Sequence, residues 1–194
     1  MTVAMAEKKN ALVTEEQLDR YAELAVELTE IASEVGKFEH CWIQLTLHGL
    51  RQTERHELLW QQVVHRGSRA GGDSDGRDSM IHVPNGKRGG GFRKIYIDWE
   101  LDLALRAWRD EQMSKFGQQP YVLTSPRGKQ MSAPGENKFW RSFLEQHLPP
   151  LLTDEDRKLG IGPENWRLSM NRPISAVLWR SGGKSAELVG KLLG

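Results

Sequence analysis

Ser169-Met170-Asn171-Arg172 leads into the apolar run Ile174, Ala176, Val177, Leu178 and Trp179, then a Gly182-Gly183 break, then Glu187-Leu188-Val189-Gly190-Lys191-Leu192-Leu193-Gly194. The order is an arginine that opens a helix, a glycine turn that stops it, and a second apolar stretch that closes on Leu-Leu-Gly. Far upstream, His48-Gly49-Leu50-Arg51-Gln52-Thr53-Glu54 sets another arginine in a short polar run between apolar segments. A guanidinium carries a fixed charge and a fork of donors that fits phosphate oxygens in pairs. The two stretches read as halves of one phosphate-gripping site.

Working back from there, Thr14-Glu15-Glu16-Gln17 has the capping-box pattern of a helix start. Leu18, Tyr21, Ala25, Leu28, Ala32 and Val35 follow at helical spacing, and Gly36 ends that helix. A second helix is expected from about Phe38 to Leu47, closed by Gly49 in the left-handed conformation. Thr53 has the chemistry to start a third, carrying Leu58, Leu59 and Trp60 inward, so Arg51 falls in a helix-to-helix turn.

The Gly/Ser/Asp/Arg-rich stretch His65 to Ser79 reads as a long loop. Met80-Ile81-His82-Val83 and Arg93-Lys94-Ile95-Tyr96-Ile97 alternate as strands do, and Asn85 to Gly91 between them is a hairpin tip carrying Lys87 and Arg88. Asp98 caps a helix from Trp99 to about Phe116 with Leu101, Leu105 and Trp108 on its core face. After a turn at Tyr121 to Gly128, a helix is expected around Asn137 to His147, stopped by Pro149 and Pro150, and then a polar loop from Thr153 to Glu164. Tyr96 and Tyr121 are expected to pack.

A chain of 194 residues suits one domain or at most two, and 38% hydrophobic content with seven tryptophans supports a packed core. No apolar run is long enough to span a bilayer, no signal peptide is recognisable, and the single Cys41 excludes an internal disulfide, which together point to a cytoplasmic setting. The net charge of +1 averages unlike parts: Met1 to Val35 holds three basic against eight acidic residues, and His65 to Lys94 seven basic against three acidic. A local basic face is enough to displace counterions from a phosphate backbone, so a near-neutral total is compatible with DNA binding. Gly183-Lys184-Ser185 imitates the end of a P-loop, but Leu178 occupies the position of its first glycine. His40, Cys41 and His48 lack the spacing of a metal site.

These stretches resemble the catalytic domain of the tyrosine recombinase and phage integrase family. Gly49-Leu50-Arg51-x-Thr53-Glu54 is similar to its Gly-Leu-Arg-x-Ser/Thr-Glu box in type and spacing, with Leu58 and Trp60 following. Setting Gly194 on the family's Leu-Gly puts Arg172 on its second arginine and Ser169 where its motif histidine stands. The hairpin resembles its Gly-Lys-Gly-x-Lys-x-Arg segment, with Lys87 in the lysine role and Lys94 as the alternative. Tyr121 to Gly128 resembles its Leu-Phe-x-Ser-x-x-Gly turn.

The resemblance implies a mainly α fold with a small antiparallel β-sheet (α+β), preceded by a flexible leader at residues 1–10. It covers about residues 11–194, a catalytic domain incomplete at its C-terminus. It also implies the site residues: Arg51, Lys87 and Arg172 as catalytic, Glu54 and Ser169 in support, and Arg88, Arg93, Lys94, Arg127 and Lys129 on DNA. In the family a tyrosine attacks the scissile phosphate to give a 3′-phosphotyrosyl link and a lysine protonates the departing 5′ oxygen, with no metal or other cofactor. The tyrosine that follows the Leu-Gly is not among Tyr21, Tyr96 and Tyr121, so this chain is not expected to cleave by itself.

The expected partner is double-stranded DNA, with self-association or a second recombinase on it, and no membrane. Two other readings stay open. One is a non-catalytic DNA-binding or regulatory relative of a recombinase; the other is a helical protein-interaction domain using its acidic first helix.

Overall fold

The computed structural model describes residues 13–65, 79–84, 92–186 and 189–190. Helix α1 (Glu15–Val35) starts at Thr14, whose side chain accepts from the Gln17 amide while Gln17 returns a bond to the Thr14 amide, closing the capping box. Tyr21, Leu24, Ala25, Leu28 and Ala32 form its buried stripe. Helix α2 (Lys37–Leu47) lies under it, buried continuously from Cys41 to Leu47. Gly49, at φ 75°, turns the chain after it through a conformation that a side chain would strain.

The short α3 (Gln52–His56) leads through a single 3-10 turn into a three-stranded antiparallel sheet in the order β1 (Val63–Val64), β2 (Met80–Pro84), β3 (Phe92–Tyr96). Register pairs Val63 with Ile81 and Ile81 with Ile95, so the sheet's inner face is aliphatic. Asp98 then caps α4 (Trp99–Phe116), accepting from the Leu101 amide. Ser132 caps α5 (Ala133–His147) in the same way, through the Gly135 amide. Helices α6 (Asp154–Lys158) and α7 (Asn171–Ser181) complete the described elements.

The core is threaded by a row of rings. Phe139 packs on Trp42 with centroids 4.8 Å apart, Trp42 on Trp140 at 5.4 Å, Trp140 on Trp166 at 5.5 Å and Trp166 on Tyr21 at 4.7 Å. Tilted and edge-on aromatic contacts of this kind add to area burial, about 0.5–1.5 kcal/mol per pair. The row ties α2 and α5 to α1 through Trp166, just ahead of α7. The indole groups are satisfied too: Trp140 donates to the Trp166 carbonyl at 2.9 Å, and Trp166 to Asn171 Oδ1 at 2.7 Å.

Several local expectations fail for physical reasons. Helix α3 starts at Gln52 rather than Thr53 and ends at His56, because Glu54 turns back onto the Arg51 amide and makes Arg51 the cap; Leu58 and Trp60 are buried beyond it. Val35, at the end of α1, is 48% exposed. Tyr96 is 53% exposed, because it shares the outer side of β3 with Lys94 while Ile95 and Ile97 face in. Strand β1 was not expected, and α5 begins at Ala133, ahead of Asn137.

The polar stretch after Thr153 contains α6, held by Asp156. That carboxylate accepts from the Thr153 amide at 2.9 Å and, bidentately, from Arg20 of α1 at 2.8 and 3.1 Å. The expected leader at residues 1–10, most of the 65–79 loop, the hairpin tip at 85–91 with Lys87 and Arg88, and most of the last apolar stretch lie outside the described residues.

The hydrogen bonds from Arg20 hold the Asp156 carboxyl down to about 2, with help from Thr153 against the opposing effect of burial. A carboxylate depressed on folding stabilises fully above its ordinary range and loses that contribution as pH falls towards its folded value. Asp156→Asn is therefore expected to cost about 2 kcal/mol in urea unfolding at neutral pH. The gap to the native chain should close as pH drops from about 4 towards 2; a gap independent of pH would contradict the assignment.

Candidate functional site

Arg51 sits between Gly49 and α3, with its backbone extended at φ −65° and ψ 154°. Its amide donates to Glu54 Oε2 at 2.6 Å and its Nη1 to Glu54 Oε1 at 2.8 Å. Glu54 Oε2 also accepts from Arg93 Nη2 at 2.9 Å. One carboxylate thus orients two arginines from distant parts of the chain. Arg93, on the inner side of β3, is 8% exposed at its side chain, whereas Arg51 keeps half its side chain in solvent. The simplest account of Arg51 alone, a surface ion pair with Glu54, is present in the structure, but it is one edge of a larger arrangement.

Arg172 enters that arrangement from the first turn of α7, where Pro173 fits without loss of a helix hydrogen bond. Its Nη1 donates to the Gly49 carbonyl at 3.4 Å, next to the Arg51 turn. Burial pushes the Arg172 guanidinium below its ordinary range, and the positive charges of Arg51 and Arg93 push in the same direction while Glu54 opposes them. Arg51, Arg93, Glu54 and Arg172 are thus electrostatically one group. Among the described residues that line the adjoining cleft, arginine and lysine outnumber the carboxylates, Glu164 being the acidic side chain there.

That cleft encloses about 810 Å³ and is lined by Arg51, Arg172 and Ser169 together. Its walls also carry Lys138 and Arg141 of α5, Arg167, and the amides Gln52 and Asn137, which bond to each other at 3.1 Å. None of these last five was singled out from the sequence as a site residue. The available signal was the spacing of Lys138 and Arg141 on the side of α5 away from Trp140, Phe143 and Leu144. A fixed excess of guanidinium and ammonium groups, with amides among them, can bind a polyanion and hold one of its oxyanion groups bidentately.

Other expected positions lie elsewhere. Lys94 is exposed on the outer side of the sheet. Arg127 and Lys129 are exposed on the turn closed by Gly128 at φ 71°. They line a second groove of about 1060 Å³, with Phe38, Phe116 and Phe139, that shares Lys138 with the first. Lys87 and Arg88 lie outside the described residues. None of the three tyrosines lines the cleft: Tyr21 is in the aromatic row, Tyr96 is on the outer side of β3, and Tyr121 is bridged to Leu59. Among the described residues no group of His, Cys, Asp and Glu could hold a metal ion, and no helix is long and apolar enough to cross a membrane.

No family model matches the sequence, and no curated protein does. Solved structures do match. The crystal structure of XerA recombinase superposes with a TM-score of 0.62 at 18% identity, over 95% of this chain and 56% of that one. XerH site-specific recombinase, bound to difH substrate before cleavage, gives 0.59 at 14% identity over 95% and 47%. The Tn1549 transposon integrase in complex with transposon right end DNA gives 0.53 at 15% identity over 78% and 48%. The chain has the tyrosine recombinase catalytic-domain fold, mainly helical with a small antiparallel sheet, and spans about half the length of the structures it matches.

Burial and the charges of Arg51 and Arg93 act against the Arg172 charge, and Glu54 acts for it. The stability of Arg172→Met relative to the native chain is therefore expected to be higher at low salt than in strong salt, where the repulsion is screened. An equal loss of stability at both ionic strengths would mean that Arg172 is a structural arginine.

Proposed function

We propose that this chain binds duplex DNA along the cleft and seats one backbone phosphate between Arg51 and Arg172, as the phosphate-gripping part of a site-specific recombinase or integrase. The observation that carries this reading is the meeting of Arg51 and Arg172, 121 positions apart, in one cleft with excess positive charge. The fold they sit on supports it, as do the DNA-bound states of the XerH and Tn1549 structures it resembles.

A phosphodiester resists attack because it is already negative and gathers further charge on its non-bridging oxygens in the transition state. Two guanidiniums held in place beforehand offset that charge without reorganising. Glu54 keeps Arg51 extended towards the cleft, and Ser169 offers a hydroxyl donor in place of a titrating group, since serine cannot carry a proton near neutral pH. Lys87 is the proposed donor to the departing 5′ oxygen. Lys138, Arg141 and Arg167 would hold the flanking phosphates, with Arg88, Lys94, Arg127 and Lys129 further out along the duplex.

Strand cleavage through a 3′-phosphotyrosyl link needs a tyrosine hydroxyl at the phosphorus, and none of Tyr21, Tyr96 and Tyr121 is at the cleft. The same fact, with Ser169 at the motif-histidine position, favours a second reading in which the chain binds DNA without cutting it.

The test is duplex binding as a function of salt. Arg51→Ala, Arg172→Ala and Lys138→Ala are each expected to weaken binding about tenfold and to lower the slope of log affinity on log salt by about 1, with circular dichroism unchanged. On a nicked duplex, denaturing gels should show no covalent protein–DNA species from this chain alone. A covalent species would overturn the second reading, and binding indifferent to all three changes would overturn both.

A further inference from the structure

Helix α3 has five residues, too few to hold its own shape, yet Arg51 at its cap must point in one direction to be useful. What holds it is unusual. The peptide group joining Leu50 to Arg51 is gripped at both ends by side chains: its carbonyl accepts from Arg55 Nη1 at 2.6 Å, and its N–H donates to Glu54 Oε2 at 2.6 Å. The plane of that peptide group sets where the Arg51 side chain leaves the backbone. Arg55 is therefore as close to controlling Arg51 as Glu54 is, from the buried side.

Arg55 is itself held. Its Nε donates to Glu136 Oε1 at 2.8 Å, Trp42 Nε1 donates to the same oxygen at 2.9 Å, and His56 Nε2 lies 2.7 Å from Oε2. Glu136, on α5, has no solvent exposure at all. The residues after it, Asn137 and Lys138, line the cleft, so the wall of the cleft and the turn bearing Arg51 are joined through one carboxylate. Burial works against ionising Glu136, but the His56 hydrogen bond, the Arg55 charge and the Trp42 bond hold its carboxyl down to about 2.

A buried ion pair of this kind is a poor source of stability, since well-packed apolar side chains of similar volume usually do as well or better. What it supplies is a defined arrangement. We propose that the buried Arg55–Glu136 pair is a positioning device for Arg51: by holding the Leu50 carbonyl, Arg55 aims the Arg51 guanidinium into the cleft, and Glu136 fixes Arg55 to the groove-facing helix α5. The proposal rests on the reading that Arg51 meets a DNA phosphate.

The test is a double-mutant cycle on duplex affinity, run on the full chain. Two variants guard against misfolding. The paired change Arg55→Met with Glu136→Gln removes both buried charges together. Arg55→Lys keeps the ion pair but lacks the planar fork by which Arg55 reaches Glu136 through Nε and the Leu50 carbonyl through Nη1, so the two bonds are no longer held in one fixed geometry. Each should weaken duplex binding about five- to tenfold when Arg51 is present and by less than about twofold in an Arg51→Ala background, with the thermal midpoint of the pair near that of the native chain.

Equal losses in both backgrounds, or none in either, would overturn the positioning role. The second readout needs no DNA: the Arg51 Nε–H resonance in a proton–nitrogen spectrum should shift in both variants, and an unmoved resonance would overturn the proposal. If the native chain fails to bind duplex at all, the functional reading falls, and the resonance still decides whether Arg55 aims Arg51.

Discussion

Glu54 divides two oxygens among three donors: the Arg51 amide, the Arg51 guanidinium and the Arg93 guanidinium. Everything at the cleft depends on that division. Without that carboxylate Arg51 and Arg93 would lose the oxygen they share, and the backbone before α3 would lose the bond that makes Arg51 a cap. With it, part of the Arg172 charge is offset as well, against burial and the like charges of Arg51 and Arg93.

The rest of the fold brings these groups to one place. Arg51 comes with the turn that Gly49 permits, Arg93 with the inner side of β3, and Arg172 with the start of α7, whose approach is set by Trp166 and Asn171 at the end of the aromatic row. Large rings make a stiff frame, and stiffness is what a site of fixed charges needs: a guanidinium displaced by about 1 Å loses much of its advantage. The buried Glu136 network extends the frame beneath the Arg51 turn.

Features decided within about four residues were legible in the sequence. The capping box at Thr14 and Gln17, the Asp98 cap and full span of α4, and the left-handed turn at Gly49 all follow from side chains acting on their own neighbourhood. So did the shared location of Arg51 and Arg172, through spacing that resembles a known family. What could not be read depends on distant partners. Helix α6 is stabilised by Arg20, 136 positions away, and Glu136 looks like a surface residue of α5 until Arg55, His56 and Trp42 close on it. The start of α3 was misplaced because Thr53 has the usual capping chemistry, while Glu54 reached the Arg51 amide first. Lys138 and Arg141 carry no local mark of function; only the packing of α5 beside α3 turns an ordinary polar side into a wall of the cleft.

The central claim is that Arg51 and Arg172 act on the same phosphorus. It is tested most directly with a set of duplexes, each carrying one neutral methylphosphonate in place of a backbone phosphate, titrated against the native chain and the two single alanine variants. The account predicts one position at which neutralising the phosphate weakens native binding sharply, and at which both variants have lost that sensitivity together. If Arg51→Ala and Arg172→Ala lose sensitivity at different phosphates, the two guanidiniums do not share a target and the account is wrong.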